Sequence, residues 1–194
     1  MLWDELAMAG SAALAQVLTN LDNLAVLLVL QLTLGAGRTT IGYVLSQAIM
    51  LTAALAVAIG ADRTLPDWSG YLGLVPLALG LRGIWLQWSS AAEESPDTIS
   101  RKAGILGVTF LFLGLSFDSF SVMAPLLADS LPAYRPWALA GASLAVLGLV
   151  TLARGVASSA RTSPKWALRL ERLGPVAMIA VGIYVLFNSG TDQI

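Results

Sequence analysis

The sequence predicts an all-α integral membrane protein of six transmembrane helices, arranged as two inverted three-helix repeats. Three observations carry this. Of 194 residues, 57% are hydrophobic and 12% charged, with a mean hydropathy of +0.76, whereas a soluble domain is about 25% charged. Six apolar stretches come close to or exceed the ~20 residues that a helix needs to cross a bilayer. A short polar motif in the first stretch, at Asn20, returns in the fourth, at Ser116.

The first span, residues 6–32, is preceded by Trp3, Asp4 and Glu5. A secretory signal needs a basic start and an apolar core of about 7–15 residues; with neither, this stretch reads as a permanent membrane helix. "TLGAGRT" ends it, and the second span follows at 39–61. "ADRTLPDW" leads to the third, at 70–88. The longest polar connector, "SSAAEESPDTISRK", holds acids at 93, 94 and 97 and reads as a solvated loop. The fourth span covers 104–128 and the fifth 136–158, with "ADSLPAYRP" between them. "SSARTSPKWALRLER" then sets Trp166, Leu168 and Leu170 against Lys165, Arg169 and Arg172, the pattern of a short interfacial helix. The sixth span, 174–188, is at the lower limit for crossing. Trp68, Trp85, Trp88 and Trp137 fall near span ends, where indole rings anchor at the interface. The chain thus divides into a first repeat (1–90), a cytoplasmic connector (91–103) and a second repeat (104–194).

Basic residues orient the spans. Nine of the eleven follow spans one, three and five: Arg38, Arg82, Arg101, Lys102, Arg154, Arg161, Lys165, Arg169 and Arg172. Only Arg63 and Arg135 lie on the other side. This predicts a multi-pass protein of the cell (inner or plasma) membrane with both termini outside the cytoplasm. A net charge of −1 offers no basic field for nucleic acid. The absence of Cys and His excludes disulfides, thiolate or imidazole metal sites, and cysteine or histidine catalysis. No nucleotide-binding motif appears, so the chain does not itself use ATP. The partners left are the bilayer and a small solute, and a homodimer is compatible with the sequence.

"NLDNLAV" at 20–26 lies over "SFDSFSV" at 116–122, 96 residues on, and a weaker echo joins "GLVPLALGL" at 73 to "PVAMIAVGI" at 175, 102 residues on. Because each half has three spans, the second enters the membrane from the opposite side, as in many secondary transporters with ion sites near the midplane. Asp22 and Asp118 then lie near mid-depth, separated along the membrane normal by roughly 10 Å or less at 1.5 Å per residue. A charge there costs ~2.5–3.5 kcal/mol on insertion scales. No Lys or Arg shares that depth, and Arg82 and Arg154 can snorkel outwards, so a mobile cation is the expected counter-charge. Gln16, Thr19, Asn20 and Asn23 share one helix face with Asp22 at its edge. Asp118, Ser121 and Pro125 share another, beside Thr109, Ser116 and Ser119. Oxygen ligands of this kind suit hard or borderline divalent ions. Hydrogen-bonded helix packing is the competing reading for Gln16, Ser116, Ser119 and Ser121, and the favoured one for Gln47. Pro125, lacking an N–H, is a candidate for assisting a break in its helix.

"TNLDNLAVLLVL" and "FDSFSVMAPLLA" resemble the two signature segments of the cadmium-resistance transporter (CadD-type) family of the LysE superfamily of six-span exporters. Thr19, Asn20, Asp22 and Asn23 match the first motif, Asp118 and Pro125 the second, and Gly73, Leu74, Pro76, Leu77, Leu79 and Gly80 a third-helix pattern. Ser119 stands where that family commonly has Asn. The resemblance implies a secondary transporter, not an enzyme. It would export a divalent cation (cadmium, or manganese, zinc or calcium) from the cytoplasm, with protons as the expected counter-ion. Asp22 and Asp118 would be the principal metal ligands; Thr19, Asn20, Asn23, Ser116 and Ser119 would complete the two half-sites. Export of an amino acid or other small solute, a two-aspartate membrane enzyme, and a structural subunit remain as alternatives.

Overall fold

The computed structural model describes residues 2–64, 74–88 and 104–158, together with Ile179 and Ile183, which are helical. The connector at 91–103, the interfacial segment at 165–172 and the rest of the expected sixth span lie outside the described residues. Within them, seven helices occur and no strand: α1 (Leu2–Thr19), α2 (Leu21–Leu34), α3 (Ala36–Thr64), α4 (Leu74–Trp88), α5 (Ile105–Leu115), α6 (Phe117–Asp129) and α7 (Arg135–Ser158).

The expected first and fourth spans are each two helices rather than one. α1 and α2 meet at 61° and α5 and α6 at 63°, and the hinge residues are Asn20 and Ser116. At the first hinge the side chain displaces the backbone. Asn20 Nδ2 donates to the Gln16 carbonyl (2.9 Å), the acceptor its own N–H would take in a continuous helix. The N–H turns to Val17 O at 3.2 Å instead, a competition to which short polar side chains are prone. At the second hinge Ser116 leaves helical geometry at φ −89°, ψ 14° with its hydroxyl engaged across the interface. Pro125 lies inside α6, which runs through it; the break is nine residues earlier (125 − 116). Because the chain bends just before each aspartate, straight-helix depth does not carry past the hinges.

α3 over Ala36–Ala61 and α7 are each long and apolar enough to cross a membrane. With each bent pair taken as one span, the described residues hold up to four. The surface suits that setting: Phe110, Leu106, Leu144, Leu32 and Leu14 are exposed, while polar side chains are inside. One residue joins α2 to α3. Gly35 turns there at φ 93°, a backbone conformation that glycine adopts without steric cost. Thr39 ties the turn, its hydroxyl donating to Leu30 O and Gly35 O, both at 3.1 Å. At the end of α6, buried Arg135 donates from Nε to Leu127 O (2.8 Å) and Ser130 Oγ to Leu126 O, so side chains cap the last carbonyls.

Packing is exchanged between the halves. The bent pair α1/α2 lies against α7, and the bent pair α5/α6 against α3. Glycine sets both crossings. A Cβ at Gly42 on α3 would come within 2.6 Å of Val108 Cγ1 and 3.1 Å of Ile105 O. A Cβ at Gly141 on α7 would overlap the Ala9 carbonyl. Ala9 and Ile105 are themselves 96 residues apart, so the two crossings correspond.

The interior has three layers. One apolar cluster gathers Ala12, Met50, Ala54, Val122, Leu127 and Ala138. The other gathers Leu24, Leu27, Tyr43, Phe112, Val146 and Leu149. In sequence, the buried polar residues Gln16, Thr19, Asn20, Asn23, Ser46, Gln47, Ser116 and Ser119 fall between the members of these clusters on α1/α2, α3 and α5/α6. A polar belt is therefore closed by hydrocarbon on both sides.

Candidate functional site

The belt is organised by two facing helix starts. Asn20 precedes α2 and Ser116 precedes α6, and Asp22 and Asp118 occupy the first turns of those helices. Asn20 Nδ2 donates to Ser119 Oγ at 2.7 Å, and Asn23 Nδ2 to Ser116 Oγ at 3.4 Å. Residues 20 and 116 correspond across the halves, as do 23 and 119. Each cap residue thus meets the third helical residue of the opposite half, and the contact is reciprocal. Ser119 Oγ also donates to Thr19 O at 3.4 Å, which pins α6 to the end of α1.

Two glutamines extend the belt. Gln47 Nε2 donates to Ser116 Oγ at 2.7 Å, and Gln16 Nε2 to Gln47 Oε1 at 2.8 Å. Tyr43 donates its hydroxyl to Asn20 Oδ1 at 3.3 Å and sets its ring edge-on to Phe112, centroids 5.0 Å apart. The Gln16 carbonyl can only accept, which fixes the Asn20 amide. Asn20 Oδ1 must then accept, which fixes Asn23, whose Nδ2 donates to it at 2.9 Å. The consequence is that Asn23 Oδ1 faces no donor; Gln16 Oε1 is likewise buried without a hydrogen-bond partner.

Of the residues expected at the site, Thr19, Asn20, Asn23, Ser116 and Ser119 come together, all buried. Thr19 turns its hydroxyl back to Ala15 O at 2.9 Å, so its carbonyl rather than its hydroxyl faces the other half. Ser121 and Thr109 do the same within their own helices, to Phe117 O and Ile105 O. Asp22 and Asp118 are half-buried, and Asp22 Oδ1 accepts the Asn23 backbone N–H at 2.7 Å. Among the described residues no three acids gather in the manner of a high-affinity metal cage. Sequence reasoning missed Tyr43 and set Gln47 aside as packing. Gln47 is a mid-helix amide, as Gln16 is, and that shared character was its only signal; Tyr43 had none.

Chemically, the belt offers amide and hydroxyl oxygens at two helix N-termini, with a half-buried carboxylate in the first turn of each. The positive end of a helix favours a nearby carboxylate by ~0.3–1 kcal/mol, up to ~2 in partly buried geometry. That is less than the ~2.5–3.5 kcal/mol that a charge at a bilayer centre would cost, so helix ends alone would offset only part of such a cost. No family model, no curated protein and no solved structure matches the chain.

Proposed function

We propose that this protein is a secondary transporter that exports a divalent cation by alternating access, with Asp22 and Asp118 as the groups that carry ion and proton in turn. The reading rests on one observation above all. Two bent helices meet through reciprocal bonds, Asn20 to Ser119 and Asn23 to Ser116, with an acid in each adjoining first turn and two amide oxygens left without donors. Unfilled acceptors in a belt whose two helix starts each carry an acid suit a species that brings positive charge and no lone pairs. Bare helix N-termini would suit an anionic substrate group, but here each already carries its own carboxylate. That favours a cation over the carboxylate of an amino acid.

The reciprocal contacts also support the six-span inverted repeat, because exchange of this kind follows when two similar halves pack about a pseudo-two-fold axis. The short likeness of both aspartate segments to the cadmium-resistance exporters agrees with a divalent cargo. Having only two acids suits transient occupancy, which a carrier needs in order to release its ion.

The test is flux in proteoliposomes loaded with a divalent-metal indicator. The full-length protein is expected to move cadmium, manganese, zinc or calcium with opposing proton movement. Asp22→Asn or Asp118→Asn alone should abolish that flux at unchanged expression and folding. Metal-independent movement of an amino acid, or full flux in both variants, would overturn the reading.

A further inference from the structure

The two halves hold unequal arrangements. α1 packs on α6, whereas its image, α5 on α2, is at most a passing contact; α2 lies along α3, whereas α6 has no comparable packing on α7. The correspondence can still be followed residue by residue. α1/α2 and α5/α6 are related at 96 residues, and the two glycine crossings relate α3 to α7 at 99 (141 − 42). At that spacing every buried residue of α7 from Ala138 to Ala153 falls on a buried residue of α3.

The hydrogen bonds of the belt divide under this correspondence. Asn20 to Ser119 and Asn23 to Ser116 are images of one another, so they survive an exchange of arrangements between the halves. Two other bonds join α3 to the first bent pair. Gln16 Nε2 donates to Gln47 Oε1 at 2.8 Å, and the Tyr43 hydroxyl donates to Asn20 Oδ1 at 3.3 Å. These two have no image: Phe112 stands for Gln16, Val146 for Gln47 and Ala142 for Tyr43, all buried and all apolar. The bond from Gln47 Nε2 to Ser116 Oγ differs in kind. It lies within the group that α3 forms with α5 and α6, and so does not sense how that group sits against the other.

We propose that Tyr43 and Gln47 are positioning residues of the transport cycle: their bonds to Asn20 and Gln16 latch the arrangement seen here, and both open when the halves exchange arrangements. This rests on the transport reading above. Alternating access in inverted repeats is largely the rocking of one bundle against the other about the site. On exchange, α2 leaves α3 and α1 leaves α6, against which α3 packs. Asn20 then parts from Tyr43, and Gln16 from Gln47. Ala142, Val146 and Phe112 can form no bond in their place. The latch therefore stabilises one end state only and biases the cycle towards it.

The absence of cysteine allows pairs of spin labels on the full-length protein. One pair is Gly37→Cys with Ser158→Cys, exposed at one end of α3 and α7; the other is its image at the opposite end, Ile59→Cys with Pro136→Cys. Distances within each pair are measured by pulsed electron resonance without metal. Tyr43→Phe and Gln47→Leu should each raise the ratio of the minor to the major distance about threefold, and the double variant about eightfold, the scale of one and two interhelical bonds. The shifts should have opposite sense at the two ends. Tyr43→Phe keeps its ring against Phe112, so it reads the latch even if Gln47→Leu, which also takes a donor from Ser116, lowers the melting temperature. Unchanged distances in Tyr43→Phe and in the double variant, or the same change at both ends, would overturn the latch and leave these bonds a packing role. Manganese flux in proteoliposomes tests the reading beneath. If the unaltered protein moves no manganese or other divalent ion, the transport reading fails, whichever way the distances fall.

Discussion

Asn20 donates to the Gln16 carbonyl and to Ser119, and accepts from Asn23 and Tyr43. Four partners on one amide make it the point where α1, α3 and α6 are joined. Interhelical hydrogen bonds in membrane proteins average about 0.6 kcal/mol, so Asn20→Ala should cost about 2–3 kcal/mol, read as loss of stability in detergent unfolding. Tyr43→Phe removes only the 3.3 Å bond and keeps the ring against Phe112, so about 0.5 kcal/mol is expected. A cost for Tyr43→Phe as large as that for Asn20→Ala would mean that the hydroxyl, and not the amide, holds the belt.

At the scale of elements, the glycines separate crossings from open faces. Gly141→Ala drives a methyl into the Ala9 carbonyl and should destabilise by about 1–3 kcal/mol, the range for overpacking. Gly10→Ala, with nothing within 4 Å, should gain up to about 1 kcal/mol from helix propensity. Gly42→Ala meets Val108 Cγ1 at 2.6 Å, Val108 Cβ at 2.7 Å and Ile105 O at 3.1 Å, so Val108→Ala, which removes the Cγ atoms but keeps the Cβ, should restore only a small part of its loss. Ala9→Gly should not rescue Gly141→Ala, because the obstruction there is backbone. Unfolding measurements on these single and double variants check the signs. Equal costs at Gly10 and Gly141 would contradict the exchanged packing of α1 on α7.

At the scale of the whole molecule, a chain with no cysteine makes topology directly measurable. Gly37, beside the α2–α3 turn, and Ala133, between α6 and α7, are both exposed. The six-span reading puts three crossings between them and the second on the outside. Ala133→Cys should react with an impermeant maleimide in intact cells, and Gly37→Cys only after permeabilisation. Labelling of both from one side would rule out two halves of opposite orientation.

Much of this was written in local pattern. Apolar runs of spanning length locate α3 and α7 to within about three residues, since hydrocarbon solvation acts on composition alone. The echo of Asn-x-Asp-Asn in Ser-x-Asp-Ser marks the two segments that meet, but both read as continuous spans; the breaks at Asn20 and Ser116 are seen only in the fold, at Asn20 because its side chain takes the Gln16 carbonyl from the backbone. Pairing across the molecule was not in the pattern. That Asn20 meets Ser119 while Asn23 meets Ser116, that Gln47 bridges to Gln16, and that Tyr43 reaches the belt depend on how four segments cross. Those crossings are set by where Gly42 and Gly141 let backbones approach. A helix face can be read from spacing, but the face it meets is chosen only when the whole bundle packs.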